Sequence, residues 1–350
     1  GMARVTLQTI ADAVGVSRMW VSNAFSRPDQ LSAELREKIL AKAAELGYAG
    51  PDPTARSLAR GRAGTVGILF PDSFTSAFDD EVAAGFVGAI AAELVPTGSA
   101  ITLLTGAESG SFVPARDVAL DGAVLYSCRD DSSATEWLVR RRLPLVFVDQ
   151  RPRTGFDSVT IDDREGARQA AQHLVDLGHR EIVAATTAYG SDDGVLDDPF
   201  ATTNLVSSQR LRGWSEAIEG AGLEMRVVQV PKHDGPGMAT AVDVLFDLDP
   251  RPTGVVCISD VVAASVIRDA EARGMKVPDD LSVVGFDGTQ LAAYANPSIT
   301  TIRQDVAGKG RAAATALVAR MNGSRARPRR IVLPVELVVG GSTAPPATPG

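Results

Sequence analysis

The chain has 350 residues, with 35 Lys and Arg against 43 Asp and Glu, a net charge of −8. Its 45% hydrophobic and 22% charged residues describe an ordinary globular chain, long enough for two or three domains. Taken whole, the acidic balance argues against a general nucleic-acid coat or an anionic-membrane binder, two cysteines make no disulfide framework or metal box, and no run of about 18 apolar residues is present to span a membrane.

The charge is unevenly placed. Residues 1–64 hold nine basic and six acidic side chains, which leaves +3 there and −11 on the remainder. In that basic head, Thr6 caps a first helix whose Leu7, Ile10, Ala11 and Val14 share one face. Gly15 ends it, Ser17 caps a second helix over Arg18–Phe25, and a third runs from about Ser32 to Leu46. Helix, short Gly turn, helix is the helix-turn-helix pattern, whose second helix enters the major groove. Arg18 then faces guanine or phosphate, and Asn23 faces adenine. A three-helix protein-interaction module with solvated polar faces has the same spacing.

Thr6-Leu7, Ile10-Ala11, Gly15-Val16-Ser17, Val21-Ser22-Asn23 and Ala44-Glu45-Leu46-Gly47-Tyr48 resemble the headpiece of the LacI/GalR family of bacterial transcription regulators. The chain departs from the usual pattern at Trp20 (commonly Thr) and Asn23 (commonly Arg). The resemblance implies base reading by Arg18, Met19 and Asn23, and phosphate contacts from Thr6, Ser17 and Ser22.

Gly50-Pro51-Asp52-Pro53 breaks the helical pattern, and Thr54–Arg60 follows. Seven residues are too few for a stable isolated helix, so by itself the stretch reads as a flexible basic linker. The resemblance implies instead a hinge helix that orders on DNA, with Leu58 from each half of a dimer wedged into the minor groove and Ala55 beside it.

From Thr65 the period changes. Strand-length runs at Thr65–Phe70, Ala100–Leu104, Gly122–Tyr126, Leu145–Val148 and Ser158–Ile161 alternate with helical stretches. A second series runs Glu181–Ala185, Arg226–Val230, Gly254–Ile258, Leu281–Gly285 and Thr300–Arg303. Helices are expected over Phe78–Leu94, Ser132–Arg141, Arg164–Leu177, Ser208–Ala221, Gly237–Leu245, Asp260–Arg273 and Asp305–Asn322. The pattern predicts an α/β core of two doubly wound parallel-sheet lobes, with a small-molecule site between them at the strands' carboxyl ends.

Arg210-Leu211-Arg212-Gly213-Trp214, Pro278–Asp287 and Thr300-Thr301-Ile302-Arg303-Gln304 extend the resemblance, which runs from about residue 5 to 340, to the family's periplasmic-binding-protein-like core. It implies a headpiece over 1–50, a hinge over 51–63, a core over 64–340 and a disordered tail over 341–350. The first lobe is expected near 64–162 and 291–325, and the second near 163–290 and 326–340, with crossings near 162–164, 288–292 and 325–330.

By the same resemblance Arg210 and Asp287 grip an effector, and Asp72, Phe74, Asp149 and Ser259 stand at strand ends around it. Carboxylates with one forked cation suit vicinal hydroxyls. Helix capping and core packing are the structural alternatives at such positions. No nucleophile elbow, Walker loop or metal spacing occurs, so neither an enzyme nor a cofactor or metal is expected. The expectation is a cytoplasmic homodimeric regulator, a repressor that binds double-stranded operator DNA under control of a sugar-like effector. A corepressor-type regulator answering to a nucleobase or other non-sugar metabolite is the alternative.

Overall fold

The computed structural model describes residues 5–71, 78, 80–106, 110–187, 194–195, 198, 200, 204–230 and 243–347. The chain divides into two compact units, Gly1–Gly64 and Thr65–Gly350.

The first unit is helical: α1 (Leu7–Val14), α2 (Arg18–Ser26), α3 (Ala33–Glu45) and α4 (Pro53–Arg60). Each start is fixed by a side-chain cap. Thr6 and Thr9 cap α1 reciprocally, Ser17 caps α2, Ser32 caps α3 and Asp52 caps α4. Gly15 takes the left-handed conformation (φ 78°) that lets the chain reverse between α1 and α2. Ile10, Ala11, Val21, Ala24, Ile39 and Ala43 form a small core, against which Phe25 meets Tyr48 edge-on at 5.7 Å. The hinge stretch is a helix of eight residues, with Pro53 in its first turn and left-handed Gly61 at its end.

The second unit holds two parallel sheets. The first lobe's sheet contains β1 (Thr65–Phe70), β2 (Ala100–Thr105), β3 (Gly122–Tyr126), β4 (Leu145–Val148), β5 (Asp157–Ile161) and β12 (Arg330–Leu333), in the order β12-β5-β4-β3-β1-β2. The second lobe's sheet contains β6 (Ile182–Thr187), β7 (Gly194–Val195), β8 (Arg226–Val230), β9 (Gly254–Cys257) and β10 (Ser282–Val284), in the order β10-β9-β6-β8-β7. Every neighbouring pair in these two sheets is parallel except β7 with β8. In the first lobe β1 lies between β2 and β3, and in the second β6 lies between β8 and β9, so the winding reverses direction at each lobe's first strand, where doubly wound sheets bind ligands. The central strands β1, β3 and β4 are buried on both faces, which is why they read as continuous apolar runs.

Helices cover both sheets. In the first lobe they are α5 (Glu81–Leu94), α6 (Pro114–Asp117), α7 (Ser133–Arg140) and α12 (Val306–Met321). In the second they are α8 (Asp163–Asp176), α9 (Leu205–Gly220), α10 (Asp260–Ala272) and α11 (Gln290–Tyr294). Trp214 is fully buried in the second lobe's core. Gly213, one residue earlier, lets α9 approach α8 so closely that a Cβ there would overlap the Arg164 carbonyl oxygen. The helix expected over Gly237–Leu245 lies largely outside the described residues.

Two boundaries differ from expectation. Residues 291–300 belong to the second lobe, because Ala292 and Ile299 bury in its core. The crossing falls instead at β11 (Thr301–Gln304), which pairs antiparallel with β13 (Val335–Val338). Residues 330–333 belong to the first lobe, since β12 pairs parallel with β5, so the last crossing follows Leu333. The tail is a second correction. Ser342 is fully buried; its hydroxyl donates to the Val283 carbonyl (2.6 Å) and accepts from Thr300 N–H (2.8 Å). Ala344 bonds to Ser282 and to His179 Nε2. A Pro/Thr/Ala composition reads as disorder, but here backbone and hydroxyl groups find partners on the second lobe.

Candidate functional site

On the helical unit, α2 shows an exposed outer face. Met19 is 64% exposed and Trp20 47%, although both are large and apolar. Arg18 is exposed beside them. Thr6 and Ser17 are exposed, their hydroxyls accepting from Thr9 N–H and Trp20 N–H. Ser22 and Asn23 are half-buried, and Asn23 donates its side-chain amide to Gln30 Oε1 at 3.1 Å. On α4, Ala55 is exposed and Leu58 is 80% exposed.

In the second unit, Asp149 follows β4, Ser259 follows β9, and Asp287 lies three residues beyond β10, all at carboxyl ends. Asp72 and Phe74 follow β1 and lie outside the described residues. Asp149 (φ 51°) and Asp287 (φ 116°) hold left-handed backbone conformations that cost a non-glycine residue about 1–3 kcal/mol. Such strain persists where the surroundings fix it, and both carboxylates sit in a buried polar network.

Arg210 on α9 is buried. Its Nε donates to Asp163 Oδ1 at 2.8 Å, its Nη1 to the Ile258 carbonyl, and its Nη2 lies 3.5 Å from Asp287 Oδ1. Its guanidinium stacks over Phe286, 3.6 Å from the ring centroid. Asp287 Oδ1 also accepts from Gln304 Nε2 at 2.8 Å. Gln304 Oε1 accepts from Lys309 Nζ at 2.8 Å, and the same ammonium bonds to Asp149 Oδ2. The chain Asp163–Arg210–Asp287–Gln304–Lys309–Asp149 therefore runs from the second lobe through the crossing strand β11 to the first. A second link joins the lobes: Glu81 at the start of α5 accepts from the backbone N–H of Gln290 at 2.8 Å.

Burial governs the electrostatics. It raises the Asp287 carboxyl to about 8 against the pull of Arg210, with Asp260 and Asp80 adding to the rise. It raises Asp163 to about 6, again opposed by Arg210. Burial disfavours the charge on Arg210 too, but Asp163 and Asp287 hold its guanidinium above its usual range.

The structure brings together Asp149, Arg210 and Asp287. Ser259 stands close by in sequence to buried Asp260, and its hydroxyl caps α10 by accepting from Val262 N–H at 3.2 Å. Asp260 is a clamp: its oxygens accept from Thr301 Oγ1, Thr289 Oγ1 and Thr289 N–H. Sequence reasoning did not assign Asp163, Gln304 or Lys309 to the site. Lys309 left a trace, because Lys309, Ala313 and Leu317 share a buried face of α12, where a lysine needs a partner. Among the described residues no helix is long and apolar enough to cross a membrane, and no group of three or more His, Cys, Asp or Glu could hold a metal ion.

Comparison with known proteins agrees with this architecture. The family described as bacterial regulatory proteins, lacI family, matches residues 6–50, and a periplasmic binding protein-like domain matches residues 171–343. The chain is 37% identical to the HTH-type transcriptional regulator Rv3575c of Mycobacterium tuberculosis, over 98% of each chain. It is 33% identical to the HTH-type transcriptional regulator IpsA of Corynebacterium glutamicum, over 97% of this chain and 98% of that one. Among solved structures it resembles a transcriptional regulator CelR–cellobiose complex, with TM-score 0.70 and 28% identity over 97% of this chain and 100% of that one. These relatives are transcriptional regulators, not enzymes. Together with the helix-turn-helix unit and the two-lobed α/β core, they establish that the chain belongs to the LacI family of DNA-binding transcriptional regulators.

Proposed function

We propose that this regulator is a cytoplasmic homodimeric repressor whose affinity for operator DNA is set by a sugar or sugar derivative bound between the lobes of its core. The observation that carries the reading is the polar chain from Asp163 to Asp149, which gathers carboxylates of both lobes around Arg210 at the carboxyl ends of both sheets. Carboxylate acceptors beside a forked donor match the alternating hydroxyls of a sugar. The cellobiose in the CelR complex is a ligand of this class held by a relative of the same fold.

In this reading Arg18, Met19 and Asn23 meet base edges, while Thr6, Ser17 and Ser22 meet phosphates. Leu58, with Ala55 beside it, wedges into the minor groove. Arg210 and Asp287 hold the effector, and Asp149 and Ser259 bound it, with Asp72 and Phe74 proposed to complete the wall. An effector that prefers one arrangement of the lobes shifts the protein toward it by its difference in affinity for the two, and its coupling to DNA is reciprocal.

The test has two readouts. Sugars, polyols and nucleosides are screened for a rise in melting temperature, since a ligand of the folded state stabilises it. Hits are then added to the protein on palindromic DNA while fluorescence anisotropy is followed. A sugar that raises the melting temperature and changes DNA affinity supports the proposal. A nucleoside hit that strengthens DNA binding favours a corepressor instead, and absence of DNA binding in a genomic selection overturns the regulatory reading.

A further inference from the structure

Every described cation at the effector site is already spent. Lys309 is 1% exposed, and its ammonium donates to Asp149 Oδ2 and Gln304 Oε1. Its remaining side faces the rings of Tyr126 at 5.8 Å and Phe86 at 5.9 Å. Arg210 is engaged by Asp163, the Ile258 carbonyl and Asp287, with Phe286 against its flat face. The group left open is an acceptor: Asp149 Oδ1 is buried and has no hydrogen-bond partner. A buried carboxylate oxygen without a donor is costly and marks a place for one.

From this arrangement, and resting on the effector reading above, we infer that Lys309 is a specificity-determining residue that tunes the site for an uncharged hydroxyl donor and against a phosphorylated one. Lys309 pairs with one oxygen of Asp149 and leaves the other open to accept a hydroxyl hydrogen. A phosphate in the same place sets its negative charge against that of Asp149, which a neutral hydroxyl does not. It also finds both cations bound to carboxylates at close range. A lysine beside a ligand site ordinarily suggests an anion; here its own carboxylate partner reverses that preference.

The inference is tested on the full-length chain with inorganic phosphate as probe, against chloride at equal ionic strength. The wild type should show no phosphate-specific rise in melting temperature. Asp149→Asn, which frees the ammonium, should gain a saturable rise, and Asp149→Asn combined with Lys309→Met should lose it. A wild-type rise that Lys309→Met abolishes overturns the inference, as does an Asp149→Asn protein that folds and gains none. If Asp149→Asn fails to fold, the wild type decides alone. D-glucose against D-glucose 6-phosphate, and D-ribose against D-ribose 5-phosphate, are compared by calorimetry. Any binding by a phosphorylated member within tenfold of its neutral partner overturns the inference. Failure of every neutral sugar counts against the sugar reading, while the phosphate experiment still judges Lys309.

Discussion

The guanidinium of Arg210 lies 3.6 Å from the centroid of Phe286 while its Nε holds Asp163 at 2.8 Å. One side chain thus joins the start of α8 to the loop after β10, and it is buried while doing so. Removing one member of a buried ion pair leaves the other charged and unpaired, at a cost of about 3–5 kcal/mol. Arg210→Met should therefore lower the unfolding free energy by about that much in urea titrations and abolish any sugar-dependent rise in melting temperature. Arg210→Lys keeps the charge but loses the fork and much of the stacking. It should recover part of the stability and little of the ligand response. A loss under about 0.5 kcal/mol for Arg210→Met, the range of neutral surface changes, would remove Arg210 from the centre of the site.

Asp287 makes the stability depend on pH in a direction opposite to most carboxylates. Its folded value of about 8 lies above the unfolded value near 4, so between the two the folded state binds the extra proton. Its contribution is complete below about pH 4 and is lost as pH rises through about 8. Asp163, raised to about 6, adds the same sign over a narrower window. Burial lowers His173 and His179 and gives them the opposite sign below about pH 7, so the window that isolates Asp287 lies above it. Denaturation between about pH 7 and 9 should show stability falling with pH, and Asp287→Asn should flatten that slope, since Asp163 is largely titrated by then. An unchanged slope in Asp287→Asn would place the proton elsewhere.

Much of this was legible in the chain because local chemistry and tertiary need agreed. Thr6, Gly15 and Ser17 set the ends of α1 and α2, and the capping and left-handed geometries appear at those residues. Strands such as Thr65–Phe70 and Gly122–Tyr126 are apolar throughout because helices cover both faces. Arg210 and Asp287 were found through motifs. Lys309 and Gln304 were not, since their meaning depends on Asp149, about 160 residues earlier, arriving beside them. Neither lobe crossing could be placed from periodicity. β12 alternates between exposed and half-buried residues and β13 is largely half-buried, so neither carries the apolar run that marked the central strands.

The tail shows how composition misleads when a few polar groups decide. Residues 342–344 are fastened by the Ser342 hydroxyl to Val283 and Thr300, by Ala344 to Ser282, and by His179 to the Ala344 carbonyl. Each such bond is worth about 1 kcal/mol net, and leaving buried Thr300 N–H without its acceptor costs about 1–3. Truncation after Gly341 should reduce stability by about 2–4 kcal/mol, and Ser342→Ala by about 1–3. Urea titration measures both. Limited proteolysis separates the docked tail from a free one: cleavage within 342–347 of the native protein as fast as in the unfolded chain would contradict the docking.

Leu58 sets the sharpest expectation for DNA. It is 80% exposed on α4, so truncating it removes no core contact and should leave the melting temperature within about 1 °C. If it acts as an apolar wedge in the minor groove, Leu58→Ala gives up contacts that exist only on bent DNA, and operator affinity should fall at least tenfold. The dependence of log affinity on log salt should keep its slope, because that slope counts phosphate contacts and Leu58 makes none. Arg60→Ala, on the same exposed helix, should do the reverse: a shallower salt slope and a similar proportional loss on specific and nonspecific DNA. Anisotropy titrations at several salt concentrations separate the two patterns. Equal operator binding by Leu58→Ala and wild type would assign α4 to the role of a spacer.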